Sequence, residues 1–169
     1  MKDNRKRIKR ITLLALCTSL ALLLSYVEML VPPILTGIPG IKMGLPNIAI
    51  MFLLYRVGAK EAIGVSFVKI AVTSMLFGVS MFWYSLAGAA LSLLVMILLK
   101  KSNLLSTVGV SVAGALMHNL GQILVAMLLM QTSAIGYYFI VLCITGTISG
   151  IFIGLCGALV IKRMSKIEI

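Results

Sequence analysis

The sequence predicts an all-α, polytopic membrane protein, namely a six-transmembrane-helix bundle with both termini in the cytoplasm. Three observations support this fold class. Of the 169 residues, 61% are hydrophobic and 11% are charged, the mean hydropathy is +1.15, and apolar segments fill the chain after Arg10. Because a spanning helix needs about 20 apolar residues, the length fits about six helices. It leaves no room for a separate water-soluble or catalytic domain.

Prolines and glycines mark the first boundaries between the helices. The predicted helices cover residues 11–31, 46–57, 62–77, 81–99, 108–129 and 137–161. Pro32 and Pro33 end the first helix, and Pro46 can begin the second because a proline in the first turn loses no needed N–H. The second helix is short for a complete crossing. The longest connector lies between these two helices, and the later connectors are only a few residues long.

The charge distribution predicts the orientation in the membrane. The chain has 15 Lys and Arg residues against 4 Asp and Glu residues. Six of the cations lie in residues 1–10 and three in residues 162–169, so we interpret both segments as cytoplasmic tails flanking a membrane domain over residues 11–161. With six crossings, the inner side also receives Arg56, Lys60, Lys100 and Lys101, and the outer side receives Lys42. The basic balance therefore reflects orientation in a lipid bilayer and indicates no nucleic-acid partner.

Polar side chains inside the apolar segments are the candidate substrate-binding residues, because a central charge in hydrocarbon costs about 2.5 to 3.5 kcal/mol. The candidates are Glu28, Lys42, Asn47, Lys69, His118, Asn119 and Gln122. Glu28 and Lys69 form either a structural ion pair or contacts to a polar ligand. His118, Asn119 and Gln122 either form hydrogen bonds between helices or bind a ligand. Lys42 lies in the outer connector, and Asn47 opens the second helix.

Small and polar residues recur at spacings of three and four, which places them on one side of a helix. These stripes are Thr18, Ala21, Ser25 and Glu28; Ser66, Lys69 and Thr73; Ser85, Gly88 and Ser92; and Ser111, Ala115, His118, Gln122 and Ala126. They predict faces directed to the bundle interior, where small residues pack closely. Gly146, Gly150 and Gly154 form a further ridge. It contacts either another helix of this chain or a partner subunit.

The sequence lacks the motifs of several catalytic classes, so we expect no enzyme activity, cofactor or metal. Asp3 is the only aspartate, whereas prenyl and phosphoryl transfer need carboxylates to hold Mg²⁺. There is no phosphate-binding loop for ATP. The three cysteines lie apart in apolar segments and suggest neither disulfides nor a zinc site. Active transport would therefore require partner subunits.

Three segments carry a resemblance to a known family. Residues 39–47 (PGIKMGLPN), 85–96 (SLAGAALSLLVM) and 109–122 (GVSVAGALMHNLGQ) resemble the bacterial Gx transporter family. Members of this family also carry the label heptaprenyl diphosphate synthase component I. The His118-Asn119-x-x-Gln122 stretch is the most specific part. The resemblance implies a protein of the bacterial plasma membrane, and the synthase label suggests a link to isoprenoid or quinone supply.

This family is similar in size and layout to the substrate-binding S components of energy-coupling factor (ECF) vitamin transporters. Those proteins bind a small molecule near the outer face and dock through their first helix onto a transmembrane coupling subunit driven by two ATPases. Their docking signature is Ala-x-x-x-Ala. The nearest matches here are Ala15-x-x-x-Ser19 and Cys17-x-x-x-Ala21. The glycine ridge at 146, 150 and 154 is a further candidate for partner docking.

The resemblance implies a transport subunit for a small molecule similar to a vitamin or to an isoprenoid or quinone precursor. The cationic and hydrogen-bond-donating groups of Lys42, Asn47, Lys69 and His118 favour an anionic ligand. The molecule would move inward with a coupling subunit and ATPases. The alternative is a non-catalytic membrane partner of an isoprenoid, quinone or flavin-based electron-transfer system.

Overall fold

The computed structural model describes residues 2–30 and 44–166, and over these residues the protein is all-α. Its helices are α1 (Lys2–Leu30), α2 (Asn47–Arg56), α3 (Ala59–Phe77), α4 (Ser80–Ser102), α5 (Thr107–Met130) and α6 (Tyr138–Arg163). Short 3₁₀ turns at Ser133–Tyr137 and Met164–Lys166 precede and follow α6. The prediction of an all-α protein with six helices is confirmed.

The helices are longer at several ends than the sequence pattern predicts. The start of α1 is at Lys2 instead of residue 11, because lysine and arginine favour helices and no proline or glycine interrupts this stretch. The predicted basic tail therefore forms the first turns of α1. At its other end, α4 continues to Ser102 and stops where Asn103 adopts a left-handed conformation with φ of 54°.

Four helical segments are long and apolar enough to cross a membrane. They are Asn4–Leu30, Met81–Ser102, Thr107–Met130 and Ser133–Arg163. The 10 residues of α2 extend only about 15 Å, half the thickness of the hydrocarbon core. With 19 residues, α3 is long enough, but it carries Lys60, Glu61 and Lys69. The structure thus supports a multi-pass membrane protein with four clear spanning helices.

The short helix α2 is packed inside the bundle. Its residues from Ala49 to Leu54 are all buried, and Met51 and Leu53 have no exposed surface. A helix that is apolar on all sides is suited to such a position. Beyond it, the Nζ atom of Lys100 donates a hydrogen bond to the Leu54 carbonyl oxygen at 2.6 Å. This cation satisfies a carbonyl that the last turn of α2 leaves without a helical partner.

Close helix packing surrounds α5, which lies between α4 and α6. An added Cβ atom on Gly121 would lie 2.6 Å from the carbonyl oxygen of Ala87 on α4. On the other side, an added Cβ on Gly150 or Gly154 would lie 2.8 Å from a Cα atom of α5. Such approach of two backbones is the role of small residues in membrane helices.

The ridge of Gly146, Gly150 and Gly154 therefore faces α5 of the same chain. All three residues are buried, and an added Cβ on Gly146 would lie 2.5 Å from the Nδ2 atom of Asn119. Of the two alternatives that the sequence left open, the structure shows the intramolecular contact. The expectation of partner docking at this ridge is corrected, because α5 already covers the surface.

Candidate functional site

One cavity, which we call the polar cavity, receives side chains from all six helices. It contains about 870 Å³ not filled by protein atoms, including the part that opens to the surface. Six of the seven predicted substrate-binding residues line it: Glu28, Asn47, Lys69, His118, Asn119 and Gln122. The seventh, Lys42, lies outside the described residues. The structure thus brings together groups that the sequence places on four different helices.

The first side of the polar cavity is built where α1 meets the start of α2. Glu28, in the last turn of α1, accepts a hydrogen bond from the backbone N–H of Gly44. Gly44 has φ of +74°, and an added Cβ would lie 3.1 Å from the Cδ1 atom of Ile153, so this position suits glycine. Its carbonyl oxygen accepts the N–H of Asn47 at 2.9 Å. Glu28 therefore holds the chain that leads Asn47 into the cavity.

A second part of the polar cavity is formed by α5. Asn119 donates from Nδ2 to the Leu142 carbonyl oxygen of α6 at 2.7 Å, so it makes the hydrogen bond between helices that the packing interpretation predicts. His118 and Gln122 contact α4 at Gly88, where an added Cβ would lie 3.0 Å from His118 Cε1 and 3.1 Å from Gln122 Cγ. The absence of a side chain at Gly88 thus makes room for both.

Hydroxyl groups on α1 and α3 also line the polar cavity. Ser25 donates to the Ala21 carbonyl oxygen at 2.8 Å, and Thr73 donates to the Lys69 carbonyl oxygen at 2.8 Å. These hydroxyl donors are satisfied within their own helices, yet their oxygens can still accept a hydrogen bond. The cavity therefore combines a carboxylate, an ammonium and an imidazole with neutral polar groups.

The predicted stripes lie inside the bundle, and several of their members line the polar cavity. None of the stripe residues is exposed, which confirms the predicted direction of these faces. Ser25, Thr73, Ser85 and Ala115 were interpreted as packing residues, but they also border the cavity.

Sequence reasoning missed Ser149, Phe77 and Met81, which also line the polar cavity. Ser149 precedes Gly150 on α6, and its hydroxyl donates to the Gly146 carbonyl oxygen at 3.2 Å. In the sequence, the available signal for Ser149 was a hydroxyl residue directly before Gly150 of the ridge. Phe77 and Met81 are apolar residues in apolar helices, so their position in the sequence carries no such signal.

The two candidate docking pairs on α1 point in different directions. Cys17 is 6% exposed and Ala21 is 0% exposed, so this pair packs inside the bundle. Ala15 and Ser19 are both exposed, on a side of α1 where Leu16 and Leu23 are also exposed. Of these two pairs, the one formed by Ala15 and Ser19 is accessible to a partner.

The arrangement of the polar cavity is suited to binding through charge and hydrogen bonds. In the part of the chain that the structure describes, no three His, Cys, Asp or Glu side chains come together as metal ligands would. Glu28, Lys69 and His118 instead share the cavity with the amides of Asn47, Asn119 and Gln122. Intramembrane ionisable groups of this kind commonly line substrate or ion pathways.

Comparison with known proteins agrees with the resemblance seen in the sequence. A family model described as heptaprenyl diphosphate synthase component I matches residues 17–160. The match extends from the middle of α1 almost to the end of α6 and includes every described residue of the polar cavity. No curated protein and no solved structure matches the chain significantly. The chain therefore belongs to the heptaprenyl diphosphate synthase component I family.

Proposed function

We propose that this protein is a membrane transport subunit of the ECF S-component type, which binds a small molecule in the polar cavity and passes it inward with partner subunits. The convergence of Glu28, Lys69 and His118 on one cavity is the observation that carries this proposal. Costly polar groups that meet inside a membrane bundle commonly mark a ligand pathway.

The charges of the polar cavity favour an anionic or phosphorylated ligand. Lys69 and His118 provide a cation and a hydrogen-bond donor, and Asn47 lies at the N-terminal end of α2, where the helix dipole favours negative charge. Glu28 then has one of two roles. It accepts a hydrogen bond from the ligand, or it serves as the counter-ion that releases Lys69 when the ligand enters.

In this proposal the chain crosses the membrane of a bacterial cell six times, with both termini in the cytoplasm. The cations near residues 56–60 and 100–101 then lie on the inner side with those of the two chain ends. The polar cavity opens near the outer face. The exposed pair Ala15 and Ser19 contacts a transmembrane coupling subunit, and separate ATPases supply the energy. The chain itself performs no catalysis.

Native mass spectrometry of the gently extracted protein tests this function. We expect a retained small molecule, together with a coupling subunit and ATPases. Lys69→Met should lose the small molecule, whereas the matched variant Lys101→Met should retain it, because Lys101 is exposed at the end of α4. Equal retention by both variants would contradict the role of the polar cavity.

The family description supports a second candidate, a non-catalytic membrane partner of an isoprenoid or quinone enzyme. This function predicts co-purification with a prenyltransferase or redox enzyme and no retained metabolite. Neutral substitutions of Lys69 and His118 would then leave function intact. Substitutions at the Gly146 ridge would abolish either function by disrupting contact with α5, so they do not separate the two.

A further inference from the structure

Helices α4, α5 and α6 form a tightly packed unit. Between α5 and α6, an added Cβ atom on Gly154 would lie 2.8 Å from the Cα atom of Val108, which belongs to the backbone. The first three helices pack less closely on this unit. Where α2 meets α6, the atom nearest to an added Cβ on Gly157 is the flexible side-chain sulfur of Met51, at 2.9 Å. Movement is therefore easier for α2 than for the helices of the tightly packed unit.

A block of apolar side chains fills the bundle beyond the polar cavity. The polar cavity contacts α2 at Asn47, the first residue of this helix. Residues 50–54 of α2 then pack against buried residues of four other helices. These are Cys17, Ala62, Val65, Leu93, Met96 and Val110. A polar ligand that moved along α2 through this block would lose its hydration without finding new partners. Its passage therefore requires the block to open.

Two cations connect the last turn of α2 to the tightly packed unit, at an end of the bundle that we call the basic end. The Nζ atom of Lys100 on α4 donates to the Leu54 carbonyl oxygen at 2.6 Å and lies 5.2 Å from the centre of the Tyr55 ring. On α2 itself, Arg56 donates from Nη2 to the carbonyl oxygen of Met164, directly after α6, at 3.1 Å. The two contacts thus fasten one end of α2 to α4 and to the end of α6.

The charge and the position of these contacts make them effective. Hydrogen bonds from a charged donor are stronger than neutral ones, and both contacts are partly buried, where water competes less. The ion pair of Arg10 with Glu61 differs, because it joins α1 to α3 and is exposed. Breaking this ion pair leaves the contacts between α2 and the tightly packed unit in place.

We propose that α2 is a gate between the polar cavity and the basic end, and that Lys100 and Arg56 hold this gate closed. Release of the last turn of α2 lets the apolar block open while the tightly packed unit keeps its shape. A ligand in the polar cavity then reaches the basic end, which is the cytoplasmic side in the proposed function. This inference rests on the proposed function and adds the element that controls release of the ligand.

Side-specific thiol labelling tests the gate without a known ligand. The protein, with its three native cysteines replaced by alanine, carries Ala115→Cys in the polar cavity and is studied in membrane vesicles of both orientations. The probe is sulfonatoethyl methanethiosulfonate, which is anionic and does not cross the membrane. A separate Lys101→Cys variant identifies the vesicles that present the basic end, because Lys101 is exposed there.

Labelling of Ala115→Cys from the basic end should be slow in the otherwise unchanged protein. Adding Lys100→Met should make it at least about tenfold faster, because loss of a hydrogen bond from a charged donor shifts the balance of closed and open gates by about this factor or more. Labelling from the opposite side should not change. Lys100→Arg keeps a charged donor and should keep the slow rate.

Lys101→Met is the matched control, because it removes the same charge from the neighbouring, exposed position. Loss of either lysine weakens the attraction of the anionic probe, so a faster reaction in Lys100→Met cannot result from charge. Arg10→Met, which breaks the ion pair with Glu61, should behave like Lys101→Met. Folding of every variant is checked by size-exclusion chromatography in detergent. Lys100→Gln replaces Lys100→Met if the latter does not fold.

Three results would overturn the inference. They are equal labelling from the basic end in Lys100→Met and Lys101→Met, fast labelling from this end before any lysine is changed, and an equal rise from both sides, which indicates general loosening of the fold. The test of function remains separate. A small molecule retained in native mass spectrometry together with equal labelling rates removes the gate alone, whereas faster labelling of Lys100→Met without a retained molecule removes the transport role alone.

Discussion

Replacing Gly121 with alanine is expected to force α4 and α5 apart. The new Cβ would lie 2.6 Å from the Ala87 carbonyl oxygen and 2.8 Å from the Gly88 Cα atom. Both are backbone atoms, so no change of rotamer relieves the contact. Reaching a tight separation of 3.0 Å from the oxygen requires a shift of 0.4 Å, and an ordinary 3.4 Å requires 0.8 Å. Overpacking of this kind typically costs about 1 to 3 kcal/mol.

Gly64→Ala provides the matched control for this prediction. Gly64 lies within α3, and an added Cβ there would meet no side chain and no other helix within 4 Å. Both substitutions gain the same helical preference of alanine over glycine, up to about 1 kcal/mol. The difference between the two variants therefore isolates the close contact at Gly121. We expect Gly121→Ala to be less stable than Gly64→Ala by about 1 to 3 kcal/mol.

The measurement is equilibrium unfolding of both variants by sodium dodecyl sulfate in the same detergent, followed by circular dichroism. A second measurement is the retention of the small molecule, because Gly88 also contacts His118 and Gln122 in the polar cavity. Movement of α4 should lower retention in Gly121→Ala and leave it unchanged in Gly64→Ala. Equal stability of the two variants would refute the close approach of the α4 and α5 backbones.

Two further predictions concern single polar contacts. Asn119→Leu removes the hydrogen bond to the Leu142 carbonyl oxygen. This substitution should lower the unfolding free energy by about 0.6 kcal/mol, and at most by about 1.7 kcal/mol. Unchanged stability in the same assay would show that this bond does not stabilise the α5–α6 contact. The second contact involves Glu61, at the start of α3. A hydrogen bond from its own backbone N–H and the ion pair with Arg10 lower the pKa of this carboxyl from its ordinary 4.5, although partial burial acts in the opposite direction. The stabilisation by Glu61 is therefore complete above pH 4.5 and lost as the pH falls through the lowered pKa. Glu61→Gln should flatten this acid dependence of the thermal midpoint by a small amount, because Arg10 is 55% exposed; an unchanged dependence would place its origin elsewhere.

The sequence could predict most helices because hydrophobicity and helix breakers act locally. The ends of α5 at Thr107 and Met130 fall within one residue of the predicted 108 and 129. The start of α1 was missed because the hydropathy that marks a membrane segment does not mark where a helix begins. A run of lysine and arginine is equally compatible with a tail and with helical turns.

The candidate site was predictable in composition but not in arrangement. A charged or amide side chain in an apolar segment is costly wherever the helix lies, so Glu28, Lys69 and His118 stand out in the sequence alone. Helical spacing also shows which residues share a face. It does not show that these faces meet around one cavity, nor that Ser149 joins them from α6.

The sequence by itself determined that this is a membrane protein with six helices whose polar faces point inward. It also indicated the family, which the match over residues 17–160 shows. Only the tertiary structure decided which helices touch. It placed the glycine ridge of α6 against α5 and turned Cys17 inward but Ala15 outward. It also brought residues of all six helices together around the polar cavity. The physical reason is that periodicity defines the direction of a side chain relative to its own helix, whereas contacts and cavities depend on how the helices pack together.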